Sequence, residues 1–183
     1  MKCFSAIIYI FLNNIQVPYR LSRIERCFRG IKNFYARKLF DNVGENVSIR
    51  PKTKISYMKN ISISDNSSIG DRSQIIAAAK IKIGSNVMMG PEVLILTQNH
   101  NIVGQNKLLI EGGVNKKAVY IGDDVWIGAR SIILPGAKLN PGIIVAAGSI
   151  VVGKEYPAYA VIGGNPAKVI KYRKESDQDV LNE

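Results

Sequence analysis

The chain is poor in the residues most often used for chemistry. Among 183 residues it has one histidine, His100, one tryptophan, Trp126, and two cysteines, Cys3 and Cys27. The cysteines form no Cys-x-x-Cys pair, which argues against a disulfide scaffold and a zinc ribbon and fits a reducing, cytoplasmic setting. No apolar run approaches the ~20 residues that a membrane-spanning helix needs. The longest, "FSAIIYIFLNNI", is followed by no A-x-A-like cleavage site, so a secretory signal is not expected. A phosphate-binding glycine loop of the P-loop type is also missing. The length suits one domain with a small appendage, large enough to bury a core without staples.

Acidic residues are scarce at the start. Residues 1–60 hold Glu25, Asp41 and Glu45 against twelve Lys and Arg, and so carry nine of the net +11 charges. Basic patches of this kind suit anionic lipid, phosphorylated ligands or nucleic acid. No RNA or DNA motif accompanies the charge, so nucleic acid is not expected as a partner. After Pro18, the residues Leu21, Ile24, Phe28, Ile31, Tyr35 and Leu39 recur at spacings of three and four. That pattern predicts an amphipathic helix with arginines on its other face. Its first expected role is to cap a core or pack on a partner subunit, its second to lie on an anionic membrane.

From Val43 a different period begins. Aliphatic residues recur every six positions: Val43, Ile49, Ile55, then Ile63, Ile69, Ile75, then Ile83, Met89, Ile95. After an interruption come Ile121, Ile127, Ile133, Leu139, Val145 and Val151. Glycine often follows, as at Gly70, Gly84, Gly90, Gly122 and Gly128. A six-residue period is neither helical nor a simple strand alternation; it marks a hexapeptide parallel β-helix. Three short strands make one triangular turn, the aliphatic points inward, and the following small residue permits the corner through positive φ or close approach. Turns must stack, because one turn cannot bury its own apolar residues.

Five turns are countable over 43–156. In the first ones the repeat is twenty residues rather than eighteen, which predicts small insertions stacked along one edge. The long break, "TQNHNIVGQNKLLIEGGVNKKAVY", falls between Ile95 and Ile121 and contains His100. In a repeat protein such an insertion is an outward loop, often on the functional face. Residues 1–42 are thus expected as a basic, amphipathic helical segment. Residues 43–156 form the β-helix with a loop over 100–120, and 157–183 a C-terminal extension.

The segments "IGDDVWIGARSIILPGAKL" and "GIIVAAGSIVV", followed by "PAYAVIGGNPAKVIK", resemble the hexapeptide-repeat acyltransferases of left-handed β-helix fold. The likeness is to the maltose, galactoside and polysaccharide O-acetyltransferase branch, and it covers about residues 43–173. It implies an acetyl-CoA-dependent O-acetyltransferase, a homotrimer with acetyl-CoA between neighbouring subunits. It places His100 at the family's general base, Ala129 as the oxyanion amide and Trp126 in the cleft. It further implies Ala147 against the pantetheine, and Lys154, Lys168 and Lys171 towards the nucleotide phosphates. Asn99 and Glu111 are candidates for acceptor binding, Glu111 alternatively for orienting His100. Imidazole suits the base role, since its reference pKa of ~6.5 leaves it largely neutral near pH 7.

The chain departs from that family where the acceptor is held. "SQIIAAA", residues 73–79, lacks the family's asparagine, and "HN" stands in place of "HP". The expected acceptor is a sugar hydroxyl in surface polysaccharide assembly, such as capsule or O-antigen, with a lipid-linked acceptor at the inner membrane face as a further expectation from the basic N-terminus. Three other readings stay open: a xenobiotic or antibiotic acetyltransferase, an amino-sugar N-acetyltransferase, and a non-catalytic β-helix scaffold at a membrane surface. A zinc hydrase of this fold is set aside and no metal is expected, because one histidine per chain cannot supply about three ligands at a site shared by two subunits.

Overall fold

The structure, a computed structural model, describes residues 2–17 and 22–174. Pro18 and Leu21, and residues 175–183 of the expected C-terminal extension, lie outside the described residues. From Asn42 onward the chain winds into a solenoid with three faces. The first carries the strands Asn42–Val43, Ile61–Ile63, Ile81–Ile83, Val119–Ile121, Lys138–Leu139 and Glu155–Tyr156 in parallel order. The second carries Ser48–Ile49, Ser68–Ile69, Met88–Met89, Trp126–Ile127, Ile144–Val145 and Ala160–Gly164. The third carries Lys54–Ser56, Gln74–Ile76, Leu94–Leu96, Ile132–Ile133 and Ile150–Val151. This is a left-handed parallel β-helix of about six turns.

The register confirms both periods. Val43 pairs with Ile63 and Ile63 with Ile83, twenty residues apart, whereas Ile121 pairs with Leu139, eighteen apart. The paired aliphatics stack as buried columns: Ile63, Ile69, Ile75, Ile95, Ile127, Ile133 and Val151 are fully buried. Each such side chain contributes roughly 1.5–3 kcal/mol of transfer free energy. A sixth turn goes beyond the five countable by period. Leu139 pairs with Tyr156 and Val145 with Ile162, seventeen residues apart. One missing residue breaks the six-residue pattern without breaking the stack. Strand Ala167–Tyr172 then folds back antiparallel on Ala160–Gly164.

The glycines that directly follow the inward aliphatics do not turn the corners through positive φ. Positive φ falls two residues further on, at Asn46, Asn66, Asn86 and Asp124 on one edge and Lys52, Arg72, Glu92 and Arg130 on another. The short polar side chains Asn and Asp tolerate that region best. The glycines serve close approach instead: a Cβ on Gly128 would sit 2.5 Å from the Ala147 backbone nitrogen, and one on Gly90 2.7 Å from that of Ala129. On the Lys52 edge, Glu92 bridges Arg130 at 2.8 Å and Arg72 at 2.9 Å. Its hydrogen bonds to Arg130 and then Arg72 hold its carboxyl below the usual range.

Two helices, α1 (Lys2–Asn13) and α2 (Ser22–Leu39), precede the solenoid among the described residues. They cap its open first turn. The carbonyls at that end have no turn beneath them, and polar side chains supply their donors. The Asn13 amide donates to Thr53 O at 2.8 Å, the Lys32 ammonium to Ile49 O at 2.8 Å, the Asn33 amide to Val47 O at 2.7 Å and Arg37 Nε to Val43 O at 3.1 Å. This requirement rotates the inward face of α2 only in part, since Tyr35 and Leu39 of the expected apolar stripe pack against the core. Lys32, Asn33, Ala36 and Phe40 are buried, while Ile24 and Ile31, read from the sequence as core-facing, are exposed. Satisfying the four carbonyls, at about 1–3 kcal/mol each if left unpaired, outweighs burying two isoleucines at roughly 1.5–3 kcal/mol each.

Lys32 also makes this end sensitive to pH. Burial lowers its ammonium from 10.5 to about 8, the Arg50 charge adds to the effect and Asp71 opposes it. Between pH 8 and 10 the unfolded chain therefore holds the proton that the native chain has released. Stability rises with pH across that window, and the cost of the buried charge is fully present below it. The Lys32 contribution is at most about 3 kcal/mol. A melting-temperature series from about pH 7.5 to about pH 9.5 is expected to climb in the native protein relative to Lys32→Met. Parallel profiles for the two proteins would rule out this origin.

Candidate functional site

The edge between the third and first faces carries every insertion of the repeat. Residues 57–60 and 77–80 form its first two steps, tied by a bond from the Asn60 amide to Ala77 O at 2.8 Å. The third step is the long excursion 97–118. Thr97 anchors its base: the buried hydroxyl donates to Ile76 O at 3.0 Å and accepts the Ala79 N–H at 2.8 Å. Its carbonyl accepts the returning Lys117 N–H at 2.9 Å. Between these points the chain forms a hairpin, Gln98–His100 against Val114–Lys116, with His100 opposite Val114. Asn101 closes it, its N–H reaching Gly113 O at 3.1 Å and its amide Gly112 O at 2.8 Å.

His100 therefore stands on a strand, not on a mobile tip. Its imidazole is exposed and has no hydrogen-bond partner among the described residues. It opens on a groove of about 350 Å³ whose walls include Asn99, Asn115, Lys117, Leu134 and Pro135. Asn99 turns its carbonyl oxygen to the His100 N–H at 2.9 Å. Glu111 is engaged elsewhere: its carboxylate accepts the Leu108 N–H at 3.1 Å and caps the short turn Leu109–Gly112. Asn115 and Lys117 were not singled out from the sequence. They reach the groove through the antiparallel return strand, whose pairing across a loop has no periodic signature.

Ala129, Ala147 and Lys168 gather along the edge between the second and third faces. Ala129 and Ala147 occupy equivalent corner positions in successive turns, joined by the bond from Gly148 N to Ala129 O at 2.8 Å. The Ala129 and Ala147 N–H groups make no hydrogen bond among the described residues. Trp126 lies on the second face between Met88 and Ile144, about half exposed. Lys168 pairs with Gly163, which packs near Ala146, so this lysine continues the line from Ala129 through Ala147. Lys171, opposite Val161, lies further along the same strand. Lys154 is separate from them. It follows Gly153, which lines the His100 groove, and its ammonium stands 5.0 Å from the Tyr156 ring.

The two edges bound the third face, which at about 3.3 Å per residue separates them by on the order of 15–20 Å. The outward residues Leu94, Ile132 and Ile150 of that face are half-buried aliphatics. One edge thus offers an unpartnered imidazole beside a groove, the other unpaired amide donors and basic residues. No group of three or more His, Cys, Asp or Glu able to hold a metal exists among the described residues.

No family model matches the chain. It is 31% identical over 142 residues to the galactoside O-acetyltransferase of Escherichia coli K12, covering 78% of this chain and 68% of that protein. The chain belongs to the hexapeptide-repeat acetyltransferases. Solved structures of such acetyltransferases match over most of the chain. A maltose O-acetyltransferase from Clostridium difficile 630 gives a TM-score of 0.75 at 31% identity, over 91% of this chain and 83% of its own. A hexapeptide-repeat acetyltransferase of Vibrio cholerae complexed with acetyl coenzyme A gives 0.75 at 25% identity, over 93% and 86%. In this acetyltransferase the edge bearing Ala129 and Ala147 has backbone N–H groups without a partner, and the edge bearing His100 has an imidazole without one, among the described residues.

Proposed function

We propose that this acetyltransferase moves the acetyl group of acetyl-CoA to a sugar hydroxyl in surface polysaccharide assembly, as a cytoplasmic homotrimer with His100 as base. The observation that supports it is the placement of two half-sites at the two borders of one aliphatic face. A three-fold axis facing Leu94, Ile132 and Ile150 covers those side chains and turns the His100 edge of one copy towards the Ala129 edge of the next. A closed ring of heterologous contacts is what such a non-self-complementary pair of edges produces.

The steps follow from the groups available. The acceptor hydroxyl attacks the thioester carbonyl while the His100 imidazole takes its proton. The new C–O bond forms, and the carbonyl oxygen, now an oxyanion, accepts the free Ala129 N–H. The C–S bond then breaks and the imidazolium returns its proton to the CoA thiolate. Ala147 carries the next free amide along the path of the pantetheine, with Lys168 and Lys171 towards the phosphates. Lys154, by its position, belongs to the His100 side of the cleft. Asn99 holds the His100 backbone and Asn115 faces the acceptor with it, whereas Glu111 shapes the loop.

The test is the release of free thiol from acetyl-CoA with a panel of nucleotide sugars, oligosaccharides, amino sugars and antibiotics. Thiol release is expected with a saccharide bearing free hydroxyls, and the product to be an ester labile to mild base. Transfer confined to amino groups or to an antibiotic would replace the sugar-hydroxyl reading.

A further inference from the structure

We propose that the outer faces of α1 and α2 form a docking surface for an anionic lipid bilayer. The proposal stands on its own observation and needs no particular acceptor.

Both helices spend their inner faces on capping the first turn. Ser5, Tyr9 and Asn13 of α1 are buried, as are Lys32, Asn33 and Ala36 of α2. The opposite faces point away from that end of the solenoid, and they are not polar. Phe4, Ile7, Ile10 and Phe11 of α1 and Ile24, Ile31 and Phe34 of α2 are 47–68% exposed. Positions 4, 7 and 11, and 24, 31 and 34, each fall on one side of a helix of 3.6 residues per turn. A contiguous patch of large apolar groups marks an interaction surface rather than ordinary exposure.

The charges around the patch decide what covers it. Arg23, Arg26, Arg37 and Lys38 are exposed on α2. Residues 1–40 contain a single acidic residue, Glu25. The Lys38 ammonium lies 4.1 Å from the centre of the Phe34 ring, its stem along the apolar stripe and its charge at the border. Long basic side chains in this position extend to phosphate headgroups while their stems cover apolar surface. A second copy apposed here would set these cations against their own equivalents. An anionic bilayer accepts the apolar side chains into its headgroup and acyl boundary and the cations at its surface.

Spanning is not part of the proposal. The 12-residue α1 is about 18 Å long, against a hydrocarbon core of ~30 Å. No helix among the described residues is long and apolar enough to cross a membrane. Lying on the bilayer, the helices stand the solenoid with its first turn nearest the membrane. The His100 loop leaves after the third turn, roughly 15 Å above the helices at about 4.8 Å per turn. In a trimer with parallel solenoids the three patches share one plane, and their binding adds as linked contacts.

The test is flotation of the full chain with vesicles of phosphatidylcholine, with and without phosphatidylglycerol. Co-flotation is expected with the phosphatidylglycerol vesicles at low salt, weakening as salt rises. An Ile7→Ser/Phe11→Ser variant should lose at least about tenfold in partitioning. An Arg23→Glu/Arg26→Glu variant should lose the preference for phosphatidylglycerol. Both substitute exposed side chains, so thiol release with a soluble acceptor and the melting temperature should remain unchanged. Absence of flotation, or flotation equal with both vesicles and unaltered by the variants, would overturn the proposal. So would a change of oligomeric state in the Ile7→Ser/Phe11→Ser variant, which would make the patch an interface between copies.

Discussion

His100→Ala is expected to lower the rate of acetyl transfer about 10²–10⁴-fold, the usual contribution of a positioned general base. The imidazole has no hydrogen-bond partner among the described residues, so its removal leaves the hairpin's anchors at Thr97 and Asn101 in place. The melting temperature and the affinity for CoA should therefore be those of the parent protein. The expected signature is a fall in kcat without loss of cofactor binding, measured by thiol release and by titration with CoA. An unchanged rate would remove His100 from the mechanism. A lost rate accompanied by a lower melting temperature would make it a structural residue of the loop. The same comparison separates His100 from Asn101, whose amide and N–H hold the loop closed and whose loss should affect both quantities.

The β-helix was legible in the sequence because its selection rule is local and repetitive. An aliphatic at every sixth position has one physical meaning, an inward column, and the columns at Ile63, Ile69 and Ile75 lie where the period puts them. The twenty-residue turns were legible too, and their insertions stack along one edge. Three features were not fully so. The sixth turn is hidden by a seventeen-residue step that leaves the pairing of Val145 with Ile162 intact. The inward face of α2 was read only in part: Tyr35 and Leu39 pack against the core, but Ile24 and Ile31 do not, because periodicity counts apolar residues and not the donors that the first turn's carbonyls require. The sequence left two roles open for the glycines without dividing them: those directly after the aliphatics serve close approach, whereas Gly142 and Gly148, two places further on, have positive φ. At the candidate site, His100 was legible as the one histidine in the one long break. That Lys154 sits with His100, away from Lys168, was not, because sequence distance says little about which of three edges a residue occupies.

The division of the site between two edges leads to the second large effect. Ala129→Pro is expected to reduce transfer by about 10²–10³-fold, the loss that follows removal of one oxyanion donor. Proline is suited to the test for a reason internal to the fold. The corner positions equivalent to Ala129 hold Pro51 in the first turn and Pro91 in the third, each two places after the inward Ile49 and Met89. The same glycine that precedes Ala129 also precedes Pro91. The corner backbone already accommodates a fixed φ near −65°, and the N–H that is lost has no partner to forfeit. The substitution thus deletes a donor while leaving the fold, and the expected melting temperature is that of the parent.

The decisive experiment mixes this variant with His100→Ala. If base and donor came from one chain, no assembly of the two variants would contain a complete site, and the mixture would stay as inactive as its parts. With the His100 edge of one copy meeting the Ala129 edge of the next, random trimers place an intact base beside an intact donor at about a quarter of their sites. Co-folded mixtures should then recover about a quarter of the parent activity, from two proteins that have almost none. Recovery requires exchange of subunits, so the variants are unfolded and refolded together, and refolding them apart before mixing is the control. Failure of the co-folded mixture, with both variants trimeric, would place the whole reaction within a single subunit. That outcome would require the loop of residues 97–118 to reach across the third face, against the anchoring at Thr97 and Lys117 that fixes it to the opposite edge.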